Sequence, residues 1–220
     1  RITSAIRAYI NGESQYSKGQ KEATRNLIMY LNTEDSVYWN QFEREITVPI
    51  SDSLARIEMI RDNDRELIKK YLLQGRNKRE DFDEMIWLFV NFKNISFMRD
   101  AIHIWESADR LIGKLDNLAN DSHAKVNSGN LTAEHKAQII KNLNDLTLQL
   151  TVLEGAFSEN LGDTARKTNR ALFYVNIIMT LLIIGSASVY AFVMIGRVNE
   201  KNKDLLVINH ELDRFVYSAS

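Results

Sequence analysis

The first thirty residues repeat apolar positions in steps of four and three: Ile2, Ile6, Tyr9, Glu13, Tyr16, Gln20, Ala23, Leu27 and Tyr30. That spacing predicts one long amphipathic helix with two polar interruptions, Glu13 and Gln20, on its buried stripe. "NTED" at Asn32–Asp35 reads as a turn with N-cap candidates. A short helix carrying Val37, Tyr38 and Phe42 follows, and "TVPIS" reads as a break, with Pro49 opening the next helix. Leu54, Ile57, Met59 and Ile60 continue that helix, and "RDND" and "QGRNKRED" read as polar connectors. From Asp81 the periodicity returns. Phe82, Met85, Leu88 (or Phe89) and Phe92 share a face, then Met98, Ala101, Trp105, Ala108, Ile112, Leu115 and Ala119 keep a three-four alternation. "NDSHAKVNSGN" reads as a loop, and Thr132 as the cap of a last helix striped by Ile139, Leu143, Leu146, Leu150, Leu153 and Phe157. Helices that each carry one apolar stripe must bury it against one another, so an all-α, up-and-down bundle is expected over residues 1–170.

Residues 171–196, "ALFYVNIIMTLLIIGSASVYAFVMIG", contain no charge. As a helix they reach roughly 39 Å, more than the ~30 Å hydrocarbon core of a bilayer, which predicts a transmembrane helix. Tyr174 and Tyr190 lie toward its ends, as interfacial aromatics do. Lys167 and Arg170 flank one side; Arg197, Lys201 and Lys203 flank the other, which favours a cytoplasmic C-terminal side. No Gly-Pro break separates this segment from the helix before it, so one continuous helix is expected from about Thr132 onward. Within the span, Asn176, Gly185, Ser186 and Ser188 suit close helix approach, or are tolerated singly. Over residues 197–220, Val198, Leu205, Leu212 and Ala219 are spaced by seven, with Ile208 and Phe215 three residues after members of that set. That is a coiled-coil seam, and it predicts a parallel homodimer.

Composition narrows the functions. With 28 basic and 29 acidic residues the net charge is −1, which gives no global field for nucleic acid. There is no cysteine, so disulfide and thiolate chemistry are excluded; one proline and 9 glycines favour long helices. His103 and Glu106 have metal-compatible helical spacing but no further ligands nearby in sequence, so no metal site is expected. Nor is there a phosphate-loop spacing: "NGESQYSKGQK" lacks it. No catalytic set is expected. The candidate ligand site is the polar break in the first helix. Glu13 and Gln20 sit where apolar side chains belong, which is costly unless they are paired or hydrated. Arg7, Lys18 and Lys21 are within reach as helical neighbours. A pocket for a small polar or zwitterionic ligand explains the pattern; so does an internal ion pair, or a helix break near Gly12.

The stretch "NHELDRFVYSAS", residues Asn209–Ser220, resembles the start of the dimerisation and phosphotransfer helix of sensor histidine kinases, through Asn209, Glu211, Leu212, Phe215 and Ser220. The resemblance implies that the phospho-accepting histidine would stand one residue past Ser220; His210 is not it. "IRAYINGESQYSKGQKEA", "LLQGRN", "MIWLFVNF" and "AIHIWESADRLI" resemble an all-helical sensor region of some bacterial histidine kinases and diguanylate cyclases. Those segments add Asn77, Trp105 and Asp109 to Arg7, Glu13, Gln20 and Lys21 as candidate ligand-binding residues. The resemblance implies a sensory and membrane-crossing region in a bacterial inner membrane, with residues 1–170 extracytoplasmic and 197–220 cytoplasmic. ATP and Mg would act in a kinase domain outside this chain, with a response regulator as its partner; the chain itself binds no cofactor and would respond to an unidentified small ligand or periplasmic partner. No HAMP-type relay fits between Gly196 and Ser220. The alternative expectation is a chemoreceptor-like helical transducer without its own kinase domain.

Overall fold

In a computed structural model, residues 1–61 and 64–218 are described, with side chains excepted at Val207 and residues 210–218. The fold is all-α. Among the described residues there is no strand, and six α-helices follow one another: α1 Ile2–Thr33, α2 Ser36–Ile60, α3 Arg65–Gln74, α4 Phe82–Phe92, α5 Ser96–Asn127 and α6 Ala133–Ser218, with a 3₁₀ turn Arg79–Asp81 before α4. The chain divides into two units, Arg1–Thr168 and Asn169–Ser220.

In the first unit, α1 packs chiefly on α2 and also meets α4 and α5; α2 in turn meets α3, α4 and α5. One apolar core results, with Ile6, Leu27, Leu31, Phe42, Leu72, Leu88, Phe89, Leu115 and Leu143 almost fully enclosed. Each such side chain contributes roughly 1.5–3 kcal/mol over its exposed state. Local chemistry sets the helix ends. Glu34 adopts φ 59, and its N–H donates to the Tyr30 carbonyl, closing α1. Asp35 then accepts from Val37 N at 2.9 Å to start α2. Asp64 caps α3 through Glu66 N and Leu67 N. Thr132 Oγ1 accepts from His135 N at 3.2 Å at the start of α6.

Two sequence expectations are corrected. Pro49 does not open a helix: it lies inside α2, which runs unbroken from Ser36 to Ile60. An interior proline removes the hydrogen bond to the carbonyl four residues back, that of Glu45, and costs ~3 kcal/mol in an isolated helix. Here Val48 and Pro49 are buried where α2 meets α1 at Gly19. A Cβ on Gly19 would lie 3.1 Å from the Glu45 carbonyl oxygen and 2.9 Å from Val48 Cβ. The bare glycine lets α1 cover the turn that proline weakens. The second correction concerns "NDSHAKVNSGN". It is mostly helix, because α5 continues to Asn127. Ala119 and Ser122 keep facing the core, and His123 stacks on Trp39 with ring centroids 3.9 Å apart. Tertiary packing overrides the polar composition of that stretch.

The second unit is one helical segment whose described side chains are all exposed. Among the described residues, α6 holds the one stretch long and apolar enough to cross a membrane, and its most apolar window is entirely unburied. Leu172, Phe173, Ile178, Leu181, Ile183 and Phe192 all present more than half their surface. Of the seam positions, Val198, Leu205 and Ile208 are exposed, while the side chains of Leu212, Phe215 and Ala219 lie outside the described residues.

Candidate functional site

The polar positions on the α1 stripe lead into an internal cavity of the first unit. α1 contributes Tyr9, Gly12, Glu13 and Tyr16, spaced by three and four, so they fall on one face. α2 contributes Asp52, the turn after α3 Asn77, α4 Met85, α5 Trp105, and α6 Glu154 and Phe157. The cavity volume is about 40 Å³, against the ~10–15 Å³ that one water needs.

Aromatic rings form much of the wall. Tyr9 and Trp105 meet edge to face with centroids 6.2 Å apart, and Trp105 and Phe157 do so at 6.1 Å. Tyr9 Oη donates to the Met85 carbonyl at 3.0 Å, and burial pushes its phenol far above the ordinary range. Tyr16, 6 % exposed, has its hydroxyl beside the Asp109 carboxylate, which serves as its acceptor. Trp105, 9 % exposed, has an indole N–H with no hydrogen-bond partner among the described residues. A buried donor facing no acceptor is unusual in a settled interior.

Three carboxylates complete the wall, and they are not equivalent. Glu154, on α6, accepts from Ser17 Oγ at 2.8 Å, Gln20 Nε2 at 3.2 Å and Lys21 Nζ at 3.1 Å. It is therefore fully supplied with donors from α1. Among the described residues, Glu13 accepts one hydrogen bond, from Ser158 Oγ at 3.0 Å. Burial raises its pKa above the usual carboxylate value, opposed by that hydrogen bond and by the charge of Lys21, while Glu154 adds repulsion. Asp52 is 4 % exposed and accepts from Asn77 Nδ2 at 2.7 Å. Burial holds its carboxyl well above the usual range; the Asn77 bond opposes this, and Asp109 adds repulsion. Among the described residues, neither Glu13 nor Asp52 has a basic side chain at ion-pair distance.

Behind the cavity, Asp109 on α5 accepts from Arg56 Nε at 2.9 Å, with Arg56 Nη2 at 2.8 Å, and from Ser53 Oγ. Burial still raises the Asp109 pKa, against the donations from Ser53 and Arg56, the Arg56 charge and the Tyr16 hydroxyl. At the mouth of the 3₁₀ turn, Arg76 makes a two-pronged pair with Glu45 at 2.7 and 2.9 Å, which lowers the Glu45 carboxyl. Two glycines allow the polar floor to form. A Cβ at Gly75 would collide with Asp52 Oδ1, and one at Gly12 would stand 2.5 Å from Asn77 Oδ1.

Of the residues singled out from sequence, Glu13, Asn77 and Trp105 line this cavity. Gln20 is fully enclosed and, with Lys21, holds Glu154; its own Oε1 has no partner. Asp109 stands one layer back, and Arg7 is exposed and does not line the cavity. Asp52, Glu154, Tyr16 and Arg56 were not singled out. His103 Nδ1 lies 3.8 Å from Glu106 Oε2 on an exposed face, with no third donor of a metal site among the described residues. Comparison with known protein families, curated proteins and solved structures gives no match.

Proposed function

We propose that this chain is the sensory and membrane-crossing region of a bacterial sensor histidine kinase. Residues 1–170 act as an extracytoplasmic helical bundle of up-and-down type, 171–196 as the transmembrane helix, and 197–220 as a parallel dimeric coiled coil leading into the phosphotransfer helix. The observation that carries this reading is α6. It runs from core positions Leu143, Leu150 and Phe157 into an uncharged stretch with no buried side chain, and on toward "NHELDRFVYSAS". A fully exposed run of Leu, Ile and Phe in water is an aggregation hazard; in lipid it is solvated. The resemblance of the terminal residues to the helix before a phosphoacceptor supports the kinase assignment. The cavity, with the unpaired Trp105 indole N–H and its buried carboxyls, supports the sensory one.

Signalling then works by population shift. Occupation of the first unit favours one packing of its helices, and about 1–3 kcal/mol of coupling suffices to switch a balanced pair of states. The test is a protein in which a histidine-kinase core continues the helix after Ser220, assayed for autophosphorylation in membrane vesicles. Inserting one to four residues between Arg197 and Val198 rotates the C-terminal part of the helix by about 100° per residue. Phosphorylation should rise and fall about tenfold across the series. A level unchanged across all four insertions contradicts a helical relay.

A further inference from the structure

Four aromatic rings, one unpaired buried donor and two carboxylates with no basic side chain at ion-pair distance among the described residues meet at one small cavity. Aromatic faces attract cations through their quadrupole. A carboxylate held away from water calls for a positive partner. Among the described residues Asp52 has none and Glu13 has only the more distant charge of Lys21, whereas Glu154 is paired directly with Lys21 and Asp109 with Arg56. Trp105 Nε1–H, on a side chain more than nine-tenths buried, can donate to a neutral oxygen. We infer that the cavity between Tyr9, Tyr16, Trp105, Phe157, Asp52 and Glu13 binds a small primary or secondary ammonium compound that also carries a hydroxyl or carbonyl oxygen.

The same cavity disfavours neighbouring chemistries. Its volume of about 40 Å³ holds roughly three to four water-sized groups, which fits an amino alcohol of a few heavy atoms. A carboxylate on the ligand would face Glu13, Asp52 and Glu154 with no uncommitted Arg or Lys on the cavity wall, so zwitterionic amino acids are disfavoured. A quaternary ammonium fits the rings but offers no N–H to Asp52 or Glu13. Glu13 also lines a surface hollow with Ser14, Ser17, Lys18 and Lys21, which places it at the boundary between cavity and solvent. It is the first carboxylate an entering cation would meet. This ligand class rests on the sensory reading above for its biological meaning, though binding itself is measured separately.

The experiment is calorimetry on the full chain in detergent micelles, titrated with ethanolamine, choline, glycine and ethylene glycol. Ethanolamine is expected to bind at least about tenfold more tightly than the other three. Asp52→Asn and Trp105→Phe should each weaken it by about tenfold or more, with helicity unchanged by circular dichroism. Lys141→Ala, on an exposed face of α6, should leave it unchanged. Ethanolamine binding that survives both cavity substitutions overturns the inference, as does glycine binding as well as ethanolamine or no binding of any amine. If the chain crosses membranes yet binds no amine, the ligand class alone fails. If it binds amine but stays out of membranes, the transmembrane reading fails and the site stands.

Discussion

The side-chain amide of Asn77 joins two elements: its Nδ2 donates to Asp52 Oδ1 at 2.7 Å and to the Leu72 carbonyl at 3.1 Å. One amide thus ties the end of α3 to the buried acid of α2. It is a neutral partner, so the charge of Asp52 remains uncompensated. A folded pKa raised in this way stabilises the protein below the ordinary value of 3.8, and that contribution is lost as pH rises through the elevated pKa. Asp52→Asn keeps the acceptor for Asn77 and removes the ionisation. Without ligand it should be more stable than wild type at pH 8. The difference should shrink toward pH 4. Urea unfolding at the two pH values checks this; a less stable variant at pH 8 would mean the acid has a hidden cationic partner.

Acid should act the other way at Glu45. The Arg76 guanidinium lowers its pKa, so its stabilisation exists above the ordinary carboxylate value of 4.5 and is lost as pH falls through the lowered one. Arg76→Ala should therefore lower stability at neutral and alkaline pH and approach wild type as pH falls through the Glu45 titration; urea unfolding at pH 7 and pH 3 checks this.

Gly75 has φ −70, which any residue adopts, so its need is one of space. Gly75→Ala should cost about 1–3 kcal/mol, the usual penalty of overpacking, because the new methyl meets Asp52. Combined with Asp52→Ala, most of that cost should disappear in a double-mutant cycle.

Arg56 and Asp109 form a buried pair, with side chains 8 % and 13 % exposed. Asp109→Ala leaves the guanidinium without its counter-ion and should destabilise by about 3–5 kcal/mol. Arg56→Met together with Asp109→Leu should recover much of the loss. An Asp109→Ala variant of unchanged stability would show that water reaches Arg56.

Amine binding should expel a proton. Burial keeps Asp52 and Glu13 toward their neutral forms, and a bound cation favours the ionised ones. The groups facing the site are Tyr9, Tyr16 and Glu13 on α1, Asp52 on α2, Asp109 on α5 and Glu154 on α6. The two tyrosines have phenols raised by burial and stay neutral. Calorimetric enthalpies of ethanolamine binding should therefore vary with the ionisation enthalpy of the buffer at pH 6 and less so in Asp52→Asn.

The all-α character and much of the core were legible, because apolar spacing alone carries them. The α1 stripe from Ile6 to Tyr30 and the α5 stripe from Met98 to Ala119 are buried at the positions the spacing marks, apart from the polar interruption at Glu13. The site was half legible. Glu13 and Gln20 stood out as polar residues on an apolar line. Asp52 and Arg56 did not, since reading Pro49 as a break erased the line on which they fall: Phe42, Ile46, Pro49, Asp52, Arg56, Met59. Taken as one helix, α2 shows the same polar interruption as α1. Glu154 was masked by its neighbour Leu153, which continues the α6 alternation equally well on paper. Arg7 was drawn in by helical proximity to the stripe, yet one position off the stripe is enough to turn it to solvent.

The central claim is that the first unit and the residues after Gly196 lie on opposite sides of a bilayer. The 220 residues contain no cysteine, so single thiols can be introduced without background from within them. Lys141→Cys and Asn202→Cys, both at exposed positions, should be tested in oriented inside-out vesicles with a membrane-impermeant maleimide. Asn202→Cys should react without detergent, and Lys141→Cys only after detergent is added. Equal reaction of both thiols in sealed vesicles would contradict the account.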